Sequence, residues 1–411
     1  MFLYLSLLAA IALIVVLLRK RIPIGIAILC AGLLIWVVND RSAASLVSAM
    51  KNTVQLSRTW DLMFALYFVM CLEIQLRQSG TLKRMIDALG RFFSSTKVIL
   101  ATMPAFLGLL PSMGGARFSC PIVEEASRDM TISAESKASI NFWFRHIFEF
   151  CSPIVPGLLL GCSIAQIRIG DFIEHLAWLT VAAALIGWFV MVRPLRFEEK
   201  RPDHAPTPEE RRMDIFNVVL ALLPIIVNVI LMLVFDFQAS IAMGCVTFGL
   251  FPILWLAKRP ISVWKTLLGA FDYKLLGNVF CILTFTQLLV ATGVLTAITA
   301  SFDNSSLPIS VIIALISVMI GTLTGMSQAH VAMVMPLVAQ IAPGSLELAG
   351  IAMVFGVAGQ MWTPTHVCLT ISVDYFKADF FKTLVPVCTA EALLLTCLLY
   401  TSPSPRDMRR S

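Results

Sequence analysis

The sequence predicts an all-α, polytopic membrane protein made of two inverted repeats, each with five transmembrane helices and one re-entrant hairpin. Hydrophobic residues make up 58% of the 411-residue chain and charged residues only 14%, whereas a soluble domain carries about 25% charged residues. The chain also repeats itself, with equivalent residues at a nearly constant separation: Gly80 and Gly293, Pro121 and Pro336, Ser152 and Thr363. Two halves with matching breaks inside apolar segments are typical of secondary transporters.

Ten apolar segments can each cross the bilayer, since a spanning helix needs roughly 20 residues. They are 2–18, 22–38, 60–76, 138–163, 173–193, 214–235, 239–257, 275–298, 350–373 and 383–399. Two further apolar stretches, 97–130 and 308–343, are interrupted by Gly, Ser and Pro, which end helices. Non-helical backbone is tolerated at membrane depth only inside protein or beside a water-filled cavity. We therefore expect two re-entrant hairpins; two ordinary kinked helices are the alternative.

The distribution of Lys and Arg sets the orientation. These residues concentrate in the first loop and in the central segment 196–213, which predicts that both lie in the cytoplasm. They also flank the 97–130 hairpin but not the 308–343 hairpin, so we expect the two hairpins to enter from opposite sides. Both chain ends then lie outside. Segments 41–57 and 260–273 mix apolar and basic residues and are expected to be amphipathic helices in the interface.

These boundaries define the predicted domain organisation. Residues 1–195 form the first repeat, 196–213 the cytoplasmic linker and 214–396 the second repeat. Residues 397–411 are polar and Pro-rich and resemble a translated sequencing adaptor, so we expect a non-native tail; an ordinary disordered tail is the alternative.

Composition and motifs also exclude several classes of function. The ten cysteines lie mostly singly in apolar runs, with no CxxC spacing, which is typical of buried hydrophobic residues rather than metal ligands or disulfides. The net charge of +6 comes from loop residues and predicts no nucleic-acid surface. There is no HExxH motif, Gly-rich phosphate loop or Ser-His-Asp order. We expect no enzyme activity, no metal and no cofactor beyond a coupling H⁺ or Na⁺.

The tip of the first hairpin is the first candidate binding site. It contains Ser112, Gly114, Gly115, Arg117 and Ser119. The glycines leave backbone N–H groups accessible, and a helix that starts after the tip directs its positive dipole end towards it. A charged side chain at membrane depth is by default a functional-site hypothesis. Arg117 is therefore expected to contact the substrate or, alternatively, to pair with a structural carboxylate such as Glu124 or Glu149.

The second tip, and a proline-containing break in each half, complete the candidate site. The second tip offers Ser327, Gln328 and His330, of which the histidine is either a proton carrier or a core residue. The first break follows Asn141 and Glu149, where Arg145 and Glu149 are spaced to pair on one helix face. Freed carbonyls at such breaks bind cations. The expected substrate ligands at the breaks are Ser152, Thr363 and Thr365, and the expected ion-coupling residues are Asn141, Glu149, His330 and His366.

The segment PSMGGARFSCPIVEEA and the later TPTH resemble an uncharacterised integral-membrane family, domain of unknown function 401, within the ion transporter superfamily. The resemblance spans about 1–396 and implies a scaffold, a transport part that moves as an elevator, a homodimer, and anionic, mostly carboxylate, substrates coupled to Na⁺ or H⁺. Sodium-coupled dicarboxylate members carry Ser-Asn-Thr at each tip and break. This chain instead has Ser-Met-Gly, Cys-Ser-Pro, Met-Ser-Gln and Trp-Thr-Pro.

Together, these observations predict a secondary active transporter, an ion-coupled symporter of a small organic anion, in the bacterial or archaeal cytoplasmic membrane. An anion channel is the runner-up and an intramembrane enzyme the third candidate. A carrier is favoured over a channel because hairpins that enter from opposite sides suit gating by turns.

Overall fold

The computed structural model describes residues 2–92, 95–109, 116–128, 130–196, 207–302 and 305–401. The regular structure in these ranges is helical. The helices are α1 Phe2–Arg19, α2 Ile24–Asn39, α3 Ala43–Gln55, α4 Ser57–Gln78, α5 Thr81–Phe92, α6 Thr96–Gly108, α7 Ala116–Ala126, α8 Ala134–His146, α9 Pro156–Ala165, α10 Ile169–Gly187 (continued by a π-helical turn, Trp188–Val192), α11 Pro208–Leu233, α12 Ala239–Leu256, α13 Val263–Gly269, α14 Tyr273–Ala291, α15 Val294–Phe302, α16 Ile309–Thr324, α17 Ser327–Ile341, α18 Leu346–Met361, α19 Val367–Phe376 and α20 Phe380–Thr401.

Six of the described helices are long and apolar enough to cross a membrane, and they belong to both halves of the chain. They are α4, α10 with its π-helical turn, α11, α12, α14 and α20. Shorter apolar helices, including α1 and α2, account for further predicted crossings. The prediction of an all-α, multi-pass membrane protein is therefore confirmed.

The two halves have the same order of elements. Each has two apolar helices, a short helix, a long helix, another short helix, a helix pair, a helix broken by a loop, and a final long helix, so that α1–α10 correspond to α11–α20. Residues with left-handed backbone also recur in pairs: Arg21 and Asp236, Arg41 and Lys258, Gly80 and Gly293, Gln166 and Lys377. Gly80 and Gly293 both have φ of 68°, a conformation that glycine adopts without steric cost.

Helices of the first half pack on helices of the second half in two groups. In one group, α2 packs on α14 and α4 packs on α12. In the other group, α7 packs on α19 and α9 packs on α17, so each helix pair contacts the broken helix of the other half. The elements that carry the candidate site residues, α6–α9 and α16–α19, therefore form one cluster.

Several boundaries differ from those expected. The segment predicted to cross at 275–298 ends at Ala291, because Gly293 turns the chain and α15 begins at Val294. The segments 138–163 and 350–373 are each interrupted by a loop at the predicted break, and their first helices begin earlier than expected, at Ala134 and Leu346. The segments 41–57 and 260–273, which are expected to lie in the membrane interface, contain α3 and α13, and both helices are shorter than predicted. Helix α20 continues through Thr401, into the segment expected to be non-native, and residues 402–411 lie outside the described ranges.

Candidate functional site

Both broken helices are interrupted beside a proline. Helix α8 ends at His146 and α9 begins at Pro156, which occupies the first helical position, where its missing N–H costs nothing. Helix α18 ends at Met361, and α19 begins after Thr363-Pro364-Thr365-His366. We refer to residues 147–155 as the first break and 362–366 as the second break.

The side chain of Glu149 joins the first break to the second half of the chain. Its Oε2 accepts a hydrogen bond of 2.6 Å from Nε2 of Gln360, at the end of α18. The same oxygen accepts a hydrogen bond of 3.2 Å from Oγ of Ser327, the first residue of α17. Ser327 and Gln360 are both buried. One carboxylate thus connects a helix-pair tip with both broken helices.

Glu149 and Gln360 occupy equivalent positions in the two halves. They are 211 positions apart, the same separation as between Cys151-Ser152-Pro153 and Trp362-Thr363-Pro364. Glu149 belongs to the first half of the chain and Gln360 to the second half. The Glu149–Gln360 bond therefore lies at the junction of the two halves.

The tip between α16 and α17 packs between the start of α9 and the second break. A Cβ atom added to Gly157, in the first turn of α9, would lie 2.6 Å from Cβ of Ser327. A Cβ atom on Gly325, which has φ of 64°, would collide with Oγ1 of Thr365. Only glycine allows the backbones to approach this closely. The tip, the start of α9 and the second break are consequently in direct contact.

Two buried histidines lie in contact across the halves. Nδ1 of His146 lies 2.6 Å from the carbonyl oxygen of Phe142 and must donate to it. In the neutral imidazole, its Nε2 then accepts from Nε2 of His366, 3.1 Å away. The ring of Phe142 packs on both imidazoles. This hydrogen-bonded pair ties α8 to the start of α19.

His146, His366 and Cys368 form the group of described residues that could hold a metal, with their ligand atoms within 4.8 Å of one another. The histidine contact is already explained by the N–H···N hydrogen bond, and the Arg145 guanidinium lies beside Cys368. A fixed positive charge next to the sulfur opposes a metal cation. We therefore interpret this group as part of the hydrogen-bond network of the breaks.

Asn141 forms a second cross-half cluster, one turn before His146. Its amide Nδ2 donates to Oγ of Ser372 on α19 at 2.9 Å and contacts Sγ of Cys120 on α7 at 3.2 Å. The Asn141 amide and the Ser372 hydroxyl are fully buried, so these contacts are costly to lose. Ser119, the neighbour of Cys120, is also buried and bonds within the first turn of α7.

The remaining predicted residues are spread around this centre. The hydroxyls of Thr363 and Thr365 contact each other at 2.9 Å within the second break. Ser152 is buried in the first break, with no partner for its hydroxyl among the described residues. Gln328 is half-buried beside Ser327. His330 is fully buried on α17, and its ring leaves no room for a Cβ at Gly356 of α18, one turn before Gln360.

The tip of the first helix pair is only partly described. Ser112, Gly114 and Gly115 lie outside the described residues, and so does the side chain of Arg117, whose backbone is in the first turn of α7. Arg145 is the described buried arginine of this region, and its Nη1 donates to the carbonyl of Leu107 near the end of α6, at 3.2 Å.

The structure adds residues that the sequence did not single out. Gln360, Cys120, Ser372 and Cys368 are not among the candidate residues that the sequence indicates. The most notable addition is Glu391, a lone carboxylate in the middle of α20 with 1% exposure. Its isolation inside the apolar segment 383–399 was a signal available from the sequence.

Comparison with known proteins places the chain in a family. The family described as "Protein of unknown function (DUF401)" matches residues 3–401, so the chain belongs to it, as the hairpin motif predicted. No curated protein matches the chain. A solved structure, the YdaH transporter of Alcanivorax borkumensis, described as having an unusual topology, is 14% identical. It aligns with a TM-score of 0.52 over 87% of this chain and 86% of its own. This chain therefore shares the fold of that protein.

Proposed function

We propose that this member of the family is a secondary active transporter of a small organic anion in the bacterial or archaeal cytoplasmic membrane. The observation that carries the proposal is the Glu149 carboxylate, which holds the tip of α17 and the end of α18 together at the junction of the halves. Substrate sites of transporters built from repeats lie at such junctions of discontinuous helices. The fold shared with a solved transporter supports the same class of function.

The preference for an anion follows from the helices that begin around this junction. Helices α7, α9, α17 and α19 all start at a tip or a break. The start of a helix carries a partial positive charge and free N–H groups that bind anions. Arg145 is buried in the same region, and Arg117 adds a guanidinium to the first turn of α7. A guanidinium binds a carboxylate at two points.

We propose that the halves are inverted repeats and that each α6–α7 and α16–α17 pair is a re-entrant hairpin. The equal order of elements, the exchange of packing partners and the Glu149–Gln360 contact all support this arrangement. The predicted boundaries, 1–195 and 214–396 with hairpins in 97–130 and 308–343, follow the same division.

An elevator-type movement fits the packing of the hairpins. Gly108 at the end of α6 leaves no space for a Cβ against the backbone of Arg145, and Gly321 of α16 lies equally close to the backbone of Gly356 on α18. Each hairpin is thus in backbone contact with the broken helix of its own half, and close-packed interiors move as units. We propose that α6–α10 and α16–α20 move together against α1–α4 and α11–α14.

Glu149 is proposed as the coupling residue, with a proton as the coupling ion. Its described hydrogen-bond donors, Gln360 and Ser327, are neutral groups. Adding a proton removes the charge that accepts both bonds, so loading would loosen the tip of α17. Sodium, the alternative, would coordinate the same carboxylate and the carbonyls freed at the breaks.

The test combines ligand identification with transport. Purified protein is screened by thermal shift against mono-, di- and tricarboxylates, with and without Na⁺, and the best ligand is then followed into proteoliposomes. We expect saturable uptake that an inward proton gradient drives, and loss of this accumulation in Glu149→Gln. Uptake that follows a sodium gradient and ignores pH would overturn the proton assignment. Stabilisation by cations or neutral solutes alone would overturn the anion assignment.

A further inference from the structure

Glu391 is a buried carboxylate that the proposed mechanism does not use. It lies midway along α20 and is 1% exposed, and its Oε1 has no hydrogen-bond partner among the described residues. In the equivalent helix α10, the matched position is Ala183, if Asp171-Phe172 is aligned with Asp379-Phe380. The acid thus occurs in the second half alone, so the symmetry of the fold does not require it.

Among the described residues that line the cavity beside Glu391, no Lys or Arg balances a carboxylate. It lines a cavity of about 10 Å³, close to the space needed for a single water. The other residues that line this cavity are apolar or aromatic apart from His146, and none is Lys or Arg: Trp143, His146, Ile147, Phe150, Ala183, Val357, Met361 and Leu394. An ionised carboxylate there would be a buried, unpaired charge, which folded proteins avoid by neutralising the group.

The titratable groups near Glu391 are few and can be named for each neighbouring element. Helix α20 packs on α8, α10, α18 and the π-helical turn. From α8 and the first break come His146 and, farther away, Glu149. Ala183 of α10 and Val357 and Met361 of α18 line the cavity, and none of these residues titrates. No residue of the π-helical turn lines the cavity. On α20 itself, Cys388 lies one turn away.

The cavity also connects Glu391 to the breaks. His146 lines it and contacts His366 at 3.1 Å through Nε2. His366 precedes α19 in the second break, which also receives the tip of α17 through Gly325. A carboxylate and two imidazoles are thus arranged in sequence from the middle of α20 to the candidate site.

We propose that Glu391 is a second proton-binding site, which holds a proton in the conformation described here and exchanges it beside the His146–His366 pair during transport. Loading adds one proton to a carboxylate oxygen, and unloading returns that proton to water; no other bond changes. The inference rests on the proposed proton-coupled transport. It predicts two proton sites, of which Glu149 is at the tip junction and Glu391 is behind it.

The first test needs no transport. Infrared spectroscopy of the purified protein in lipid detects the carbonyl stretch of a protonated, buried carboxylic acid at neutral pH. We expect this band in the wild type, its loss in Glu391→Gln, and its retention in the matched control Glu174→Gln, which removes an exposed carboxylate of α10. In Glu391→Asp, which keeps the acid if the Gln variant fails to fold, the band should shift. A band unaffected by every Glu391 variant would overturn the proposal.

The second test measures coupling. Accumulation driven by a pH gradient should fall at least tenfold in Glu391→Gln, while exchange of ligand at equal pH on both sides stays within about twofold and Glu174→Gln changes neither. Loss of the infrared band with unchanged pH-driven accumulation would overturn the coupling role, because Glu391 would then be a structural acid. If the wild type shows the band but transports no anion, the proposed function fails while the proton site stands.

Discussion

The contact between Gly157 and Ser327 makes the sharpest structural prediction. Replacing Gly157 by Ala places a methyl group 2.6 Å from Cβ of Ser327, whereas carbon atoms in contact prefer about 3.5–4.0 Å. The tip of α17 must therefore move by roughly 1 Å away from the start of α9. Overpacking of this kind costs about 1–3 kcal/mol, and the helix gains at most ~1 kcal/mol from replacing Gly by Ala.

The displaced tip carries the Ser327 hydroxyl, whose hydrogen bond to Glu149 is already long at 3.2 Å. We therefore expect Gly157→Ala to lower the melting temperature and to reduce the initial rate of anion uptake several-fold. The matched control is Gly161→Ala, one turn further along α9, where the new Cβ meets the side chains of Val331 and Met335 at an ordinary 3.5 Å. This control should be as stable and as active as the wild type.

Both variants are compared by thermal unfolding in detergent and by uptake into proteoliposomes at equal protein content. Equal stability and equal uptake for Gly157→Ala and Gly161→Ala would refute the close approach of the tip to the first break. A loss of stability in Gly157→Ala with unchanged transport would show that the contact is structural and outside the transport site.

Three further predictions concern the substrate, the topology and the assembly. Arg117→Ala should abolish uptake in a folded protein. Arg117→Lys should weaken ligand binding at least tenfold, because lysine lacks the two-point geometry of the guanidinium. Normal uptake by Arg117→Ala would exclude this residue from the anion site. Single cysteines placed in the linker segment 207–213 should react with impermeant thiol reagents only from the cytoplasmic side, and labelling from outside would contradict the predicted orientation. Native mass spectrometry should show a homodimer, and a monomer that retains full transport would contradict this expectation.

The sequence predicted the breaks well, because their causes are local. Gly80 and Gly293 were paired from the sequence alone, and both have the left-handed backbone that glycine adopts without cost. Pro156 and Pro364 likewise mark the loops that interrupt the two broken helices. Such residues act through their own backbone geometry. Their positions can therefore be predicted without knowledge of the fold.

The partners of the polar residues could not be predicted in the same way. The separation between the repeats makes Glu149 and Gln360 equivalent, but their contact depends on where the junction of the halves lies. Glu391 is visible as a lone acid in an apolar segment, yet its burial depends on which side of α20 packs on α8. The predicted crossing at 275–298 is longer than the observed helix. Gly293 counts as apolar in a hydropathy window, but its left-handed backbone turns the chain.

Counterflow tests the central claim, that this protein is a carrier, most directly. Proteoliposomes loaded with unlabelled ligand are diluted into a trace of the same ligand carrying a label. A carrier exchanges one for the other, so we predict a transient accumulation of label above equilibrium that saturates with internal ligand and is absent from liposomes without protein. Uptake that rises linearly with concentration, shows no acceleration by internal ligand and is accompanied by unitary currents would identify a channel and contradict the account.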